Sequence, residues 1–113
     1  MKKVKWETAQ NIYKNPDANN DVFFIFFTLE NDLNSLLMKS VIKEVEHHFI
    51  HNSNVLFLEI DAIEAELYRE PNTKFQVLEV PTFAIIKNNN IYNIGHNFYP
   101  KEIIIDWLDD IIN

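Results

Sequence analysis

Val80-Pro81-Thr82-Phe83-Ala84-Ile85-Ile86-Lys87 is the stretch that decides the fold. It reads as an apolar strand with a proline at its entrance. Proline cannot donate to a sheet ladder, so within a sheet it sits at a strand's first residue, on an edge or at a bulge. Asn88-Asn89-Asn90 then reads as a turn, and Ile91-Tyr92-Asn93-Ile94-Gly95 as a returning strand. Strand, tight turn and strand make an antiparallel hairpin. A proline buried at such an entrance is a candidate for the cis form.

Working outward, the 113 residues are expected to form one domain, residues 1–113, and 47% hydrophobic content is ample for a layered core. Net charge is −7, with ten Lys and Arg against seventeen Asp and Glu. Surfaces that track phosphates need clustered basic residues, so neither nucleic acid nor an anionic membrane is expected as a partner. There is no cysteine, hence no disulfide, no thiol nucleophile and no thiolate metal site. The amino end has lysines but no apolar core of a signal peptide, and the apolar run Val22–Phe27 is too short to span a bilayer. A cytoplasmic location is the expectation.

Residues 2–6 suggest a short edge strand. Thr8 is positioned to cap a helix over 8–15, and the composition of Asn15–Asp21 marks a loop. Val22–Thr28 is continuously apolar, as in a central strand covered on both faces. Asp32 is placed to cap a helix over 33–51, with Leu33, Leu36, Leu37, Val41, Val45 and Phe49 at helical spacing as its apolar face. Val55–Asp61 reads as a second buried strand. Strand, crossover helix and strand make a right-handed unit with parallel strands. A helix over 62–70 with Ile63, Leu67 and Tyr68 inward follows. Pro100 then opens a last helix that buries Ile103, Ile104, Trp107, Leu108 and Ile111 and leaves Asp106, Asp109 and Asp110 in water.

The resulting order, βαβαβαββα, resembles thioredoxin over essentially the full length. Val80-Pro81-Thr82 matches the Ile-Pro-Thr that carries the family's cis-proline. Leu58-Glu59-Ile60-Asp61 is similar to the close of its third strand, and Lys87-Asn88-Asn89-Asn90 stands at its Lys-Asn-Gly hairpin. Gly95 matches the glycine ending its last strand, and Trp107-Leu108 its aromatic-Leu pair. No one motif is specific; the ordered set is. The resemblance implies a three-layer α/β fold, a central mixed sheet flanked by helices. It also exposes departures. The family's Cys-Gly-Pro-Cys falls on Asp32-Leu33-Asn34-Ser35, and the tryptophan before it becomes Asn31. The buried aspartate and lysine that serve the thiols become Phe26 and Phe57, and the helix-kinking proline becomes Ser40. A buried ion pair that tunes a thiol has no use without the thiol, and replacing it by apolar groups removes a desolvation cost. The expectation is a thioredoxin fold without dithiol–disulfide oxidoreductase activity, with no catalytic residue nominated and no cofactor.

The resemblance further implies a groove built by Asn31, Asp32, Leu33, Ser35, Val80, Pro81, Gly95 and His96, suited to a protein or extended peptide. Each member also has a plain structural reading. Asp32 is an N-cap, and Pro81 is retained to determine the fold. Ser35 would need an oriented base for hydrolysis, and no histidine near it in sequence suggests one. In Glu44-Val45-Glu46-His47-His48-Phe49-Ile50-His51, the histidines His47 and His51 are i,i+4, a spacing able to hold a metal, while histidines at a helix end also serve its dipole. Asn97-Phe98-Tyr99 is either a surface contact or a lid on the core. The functional expectation is a non-redox adaptor or chaperone-like assembly factor, monomeric or weakly dimeric. The alternatives are a metal-binding or non-thiol enzyme using His47, His48 and His51, and a self-associating structural protein.

Overall fold

The computed structural model describes residues 1–18 and 20–112; position 19, within the loop expected over Asn15–Asp21, lies outside them. Five strands form one mixed sheet in the order β1-β3-β2-β4-β5. The elements are β1 (Lys2–Lys3), α1 (Trp6–Tyr13), β2 (Val22–Thr28), α2 (Leu33–His48), β3 (Val55–Asp61), β4 (Thr82–Lys87), β5 (Asn90–His96) and α3 (Lys101–Ile112), with a 3₁₀ turn at Pro16–Ala18.

β2 is the centre, and every one of its seven residues is buried. It pairs in parallel with β3, from Val22↔Val55 to Thr28↔Asp61, and antiparallel with β4, from Val22↔Lys87 to Phe27↔Thr82. A strand buried on both faces has no use for a polar alternate residue, which is why its sequence does not alternate. Phe23, Ile25 and Phe27 face α1 and the segment after β3, packing with Ala9, Tyr13, Leu67, Phe75 and Val77. Phe24 and Phe26 face α2 and α3, packing with Met38, Ile42, Val45, Ile104 and Leu108. Helices thus cover both sides, the three-layer thioredoxin-like arrangement.

The hairpin needs two left-handed residues. Asn88 (φ 54°) and Asn89 (φ 60°) supply them between paired Lys87 and Asn90, the primed geometry that suits strand twist. Asparagine is among the few non-glycine residues that tolerate this region. Gly95 answers a different demand. A Cβ there would lie 2.3 Å from Cζ of Phe83, so the strand can cross that ring only without a side chain. Phe83 itself is stacked on Phe24 at 5.0 Å and edged by Tyr99 at 5.5 Å.

Four expectations need correction. No helix forms over 62–70. Asp61 Oδ1 instead accepts from the N–H of Ile63 (2.9 Å) and Glu64 (3.2 Å), turning the chain at once. Glu66, Arg69 and Gln76 then adopt positive φ, which no α-helix contains. Leu67 is buried, but Ile63 is 64% exposed. Thr8 is not a cap: α1 begins at Trp6, whose N–H donates to Glu64 Oε1 at 3.1 Å, a cap supplied from far along the chain. The Trp6 ring fixes that start by packing on Phe27 (5.5 Å) and Phe75 (5.2 Å). The buried stripe of α2 is Ser35, Met38, Ile42 and Val45, continued by Phe49, rather than the one through Leu33, Leu36 and Leu37. In α3, Ile104 and Leu108 are buried while Ile103 is exposed, and Pro100 stands one residue before the helix.

Candidate functional site

The register Phe27↔Thr82 sets the exit of β2 beside the entrance of β4. Loop 29–32 and Pro81 therefore stand at the same end of the sheet, the end at which the resemblance placed a groove. Asn31 has φ 62°, reversing the chain after β2. Asp32 then caps α2: its Oδ2 accepts from the N–H of Ser35 at 2.8 Å, satisfying one of the helix's unpaired amides at its positive end. The cap fixes where the helix begins and so its rotation. Ser35 turns inward at 3% exposure, and Leu33 turns out at 68%.

On the other side, the Val80–Pro81 peptide is cis. The Pro81 carbonyl accepts from the N–H of Asn97 at 2.7 Å, tying the end of β5 to the proline. Val80 packs its side chain against the core, yet among the described residues its N–H and carbonyl have no hydrogen-bond partner. Thr82 and His96 are opposite each other in the β4–β5 ladder. The Thr82 hydroxyl donates to the Glu79 carbonyl at 2.7 Å and lies 3.0 Å from Nδ1 of His96. A hydroxyl has one proton, and a carbonyl can only accept. Nδ1 of His96 must therefore be the donor in the second contact, which leaves Nε2 as the acceptor of the neutral ring.

Phe26 and Phe57 are buried among aromatic neighbours, with Phe24 and Phe57 5.4 Å apart. A different polar set stands close by. Glu59, buried, accepts from Thr28 Oγ1 at 3.1 Å and pairs with Lys39 Nζ at 2.9 Å. Together with Asn31, Ser35 and Leu36 these residues line a cavity of about 220 Å³, and the buried Ser35 hydroxyl has no hydrogen-bond partner among the described residues. Sequence reading missed this set. Its signal was Glu59, the one charged residue inside an apolar strand, because a buried carboxylate requires partners.

The histidines do not form the helical pair that their spacing suggested. α2 ends at His48, and His51 lies past it in a turn. His48 stacks edgewise on Phe49 at 4.8 Å. Among the described residues, no three His, Cys, Asp or Glu side chains are grouped to hold a metal ion. Of the aromatic pair before α3, Tyr99 closes the core against Phe83 and Trp107, while Phe98 is 61% exposed. No helix among the described residues is long and apolar enough to cross a membrane.

No family model matches the chain. It is 28% identical over 113 residues to a thioredoxin of Mycoplasmopsis pulmonis (strain UAB CTIP), with 98% of each chain covered. Among solved structures, chloroplastic thioredoxin z superposes with a TM-score of 0.77 at 16% identity, covering 98% of this chain and 93% of that one. A point-mutant thioredoxin from Halobacterium salinarum NRC-1 superposes with a TM-score of 0.75 at 13% identity, covering 99% and 90%. The structural likeness carries the fold, the relative is similar along the full length, and the sequence has no thiol. The chain therefore has a thioredoxin-like fold and is similar over its full length to a thioredoxin, and it contains no cysteine.

Proposed function

We propose that this chain is a binding protein whose groove takes an extended segment of another protein or peptide by strand pairing, without thiol chemistry. The observation that carries the reading is Val80. Its backbone donor and acceptor are unused among the described residues, and they are held in place by Pro81 and the Asn97 bond. Unused main-chain groups beside a sheet are what an incoming strand pairs with, while neighbouring side chains select among strands. Leu33 and Phe98 add exposed apolar surface at the ends of the two segments that frame the site. With no cysteine in the chain, what it can contribute there is recognition.

The test is direct. Peptides are selected against the chain by display, and the amide protons of the complex are followed by NMR. Binding in the groove protects the Val80 amide, which exchanges freely in the unbound chain, and shifts the amides of Thr82 and His96. Leu33→Glu together with Phe98→Glu, both exposed, abolishes binding without unfolding the protein. A saturated complex whose Val80 amide still exchanges freely refutes the reading.

A further inference from the structure

We infer that the cavity beside the start of α2 is a binding site for a small uncharged polyol, a molecule with hydroxyl groups on neighbouring carbons. The inference is independent of strand pairing at Val80. It starts from Ser35. The Asp32 cap turns this residue inward at 3% exposure, and its hydroxyl lies at the cavity without a hydrogen-bond partner among the described residues. Burying an unbonded hydroxyl is costly, so folded chains leave few such groups. One that lines a cavity is satisfied by what enters it.

The chemistry of the walls selects the ligand. Buried Glu59 accepts from Thr28 Oγ1 on one carboxylate oxygen and from Lys39 Nζ on the other. Each of those oxygens keeps a lone pair, and the ammonium keeps two N–H groups. The Thr28 hydroxyl has committed its proton to Glu59 and can only accept from a ligand. Unused capacity is therefore of both kinds: acceptors on Glu59 and Thr28, donors on Lys39, and both on Ser35. Charge points the same way. Lys3 and Lys39 line the cavity together with Glu30 and Glu59, two cations against two carboxylates. A charged ligand is drawn by one pair and repelled by the other, whereas a neutral one meets no such conflict. A hydroxyl donates and accepts at a single atom, so adjacent hydroxyls can serve the carboxylate, the ammonium and Ser35 at once. Leu29 and Leu36 give the carbon chain an apolar wall. Apolar lining with a few converging polar groups is what small-molecule sites share. The cavity holds about 220 Å³. An apolar cavity of about 150 Å³ takes benzene, so this one suits about six to ten non-hydrogen atoms, the span from a triol to a pentitol.

Titration of the isotope-labelled full chain with erythritol, followed by NMR amide shifts, reads this binding. Saturable shifts are expected at the amides of Thr28, Ser35, Lys39 and Glu59, with a Kd on the order of 1–10 mM for so small a ligand. Ser35→Ala should weaken binding about three- to tenfold. It should not lower the melting temperature, because the hydroxyl it removes is buried and has no partner among the described residues. Erythronate, the same carbon chain ending in a carboxylate, and serinol, an amino-polyol, should each bind at least about tenfold more weakly. Shifts that grow in proportion to erythritol up to about 0.5 M without saturating overturn the inference. So does equal affinity in Ser35→Ala, or a charged analogue that binds as tightly as erythritol.

Discussion

Gly95→Ala tests the packing logic of the site end of the sheet. Gly95 does not have positive φ, so alanine meets no conformational objection there. Fewer backbone states in the unfolded chain would by themselves stabilise the protein by about 0.4–1 kcal/mol. Space decides the sign. The new Cβ would lie 2.3, 2.5 and 2.9 Å from Cζ, Cε1 and Cε2 of Phe83. The ring cannot step aside, because it is fully buried, stacked on Phe24 and bounded by Tyr99 and Trp107 at 5.5 and 6.0 Å. Overpacking of a core costs about 1–3 kcal/mol, and a clash with a rigid aromatic belongs at the upper end, so the net loss is about 2 kcal/mol. At roughly 4 °C per kcal/mol, the melting temperature should fall by about 8 °C. Thermal unfolding measures this, and a double-mutant cycle with Phe83→Leu identifies the cause. Once the ring is gone, Gly95→Ala should cost less than about 0.5 kcal/mol, a coupling of the size contacting residues show. A Gly95→Ala chain that melts at the wild-type temperature, or an additive cycle, would refute the reasoning.

Asp32→Ala removes the cap on Ser35 N–H and should cost about 1 kcal/mol in denaturant unfolding, with Asp32→Asn losing far less. Lys39→Met strips Glu59 of its cation but leaves the Thr28 hydroxyl bond. Breaking a buried pair costs about 3–5 kcal/mol, and the exposed third of Lys39 reduces that to about 1–2 kcal/mol. Changing Lys39 and Glu59 to methionine together should recover most of the loss, as read by urea midpoints. Burial pushes the Tyr13 phenol up from its usual 10.0, offset in part by the nearby Gln10 side chain, and the hydroxyl closes no hydrogen bond among the described residues. A raised folded-state pKa stabilises below the unfolded value and is lost as pH rises through the folded one. Unfolding midpoints should therefore drop above about pH 10, and Tyr13→Phe should flatten that part of the profile while raising stability near neutrality.

The central strand was legible because burial on both faces leaves an unbroken apolar run, and the hairpin because few residues besides asparagine turn so tightly. Pro81 fixed the end of the sheet where the proposed groove lies. What misled was ambiguity of period. Leu33, Leu36 and Leu37 satisfy helical spacing as well as Met38, Ile42 and Val45 do, and a polar Ser35 drew the eye from the stripe that is buried. The rotation of α2 is set by the Asp32 cap, a local geometry that spacing alone does not contain. The segment after β3 failed for the opposite reason. Leu67, Phe75 and Val77 are all buried, but through irregular turns whose hydrogen bonds are mostly to near neighbours, so no period marks them. Glu59 was readable as an anomaly, but its partners Thr28 and Lys39 come from other elements and only the fold brings them together.

The two faces of the sheet are held unequally. On one side α2 and α3 are continuous helices that pack on each other. On the other, between Ala62 and Val80, three non-glycine residues sit in the left-handed region, each at a conformational cost. The amides of this segment are expected to exchange with solvent ahead of those in β2 and β3, which hydrogen exchange of the native chain would check. The segment runs directly into Val80 and Pro81. If the proposed groove binds as argued, one of its walls is a firmly packed helix and the other borders this turn-built segment, a stiff jaw facing a compliant one.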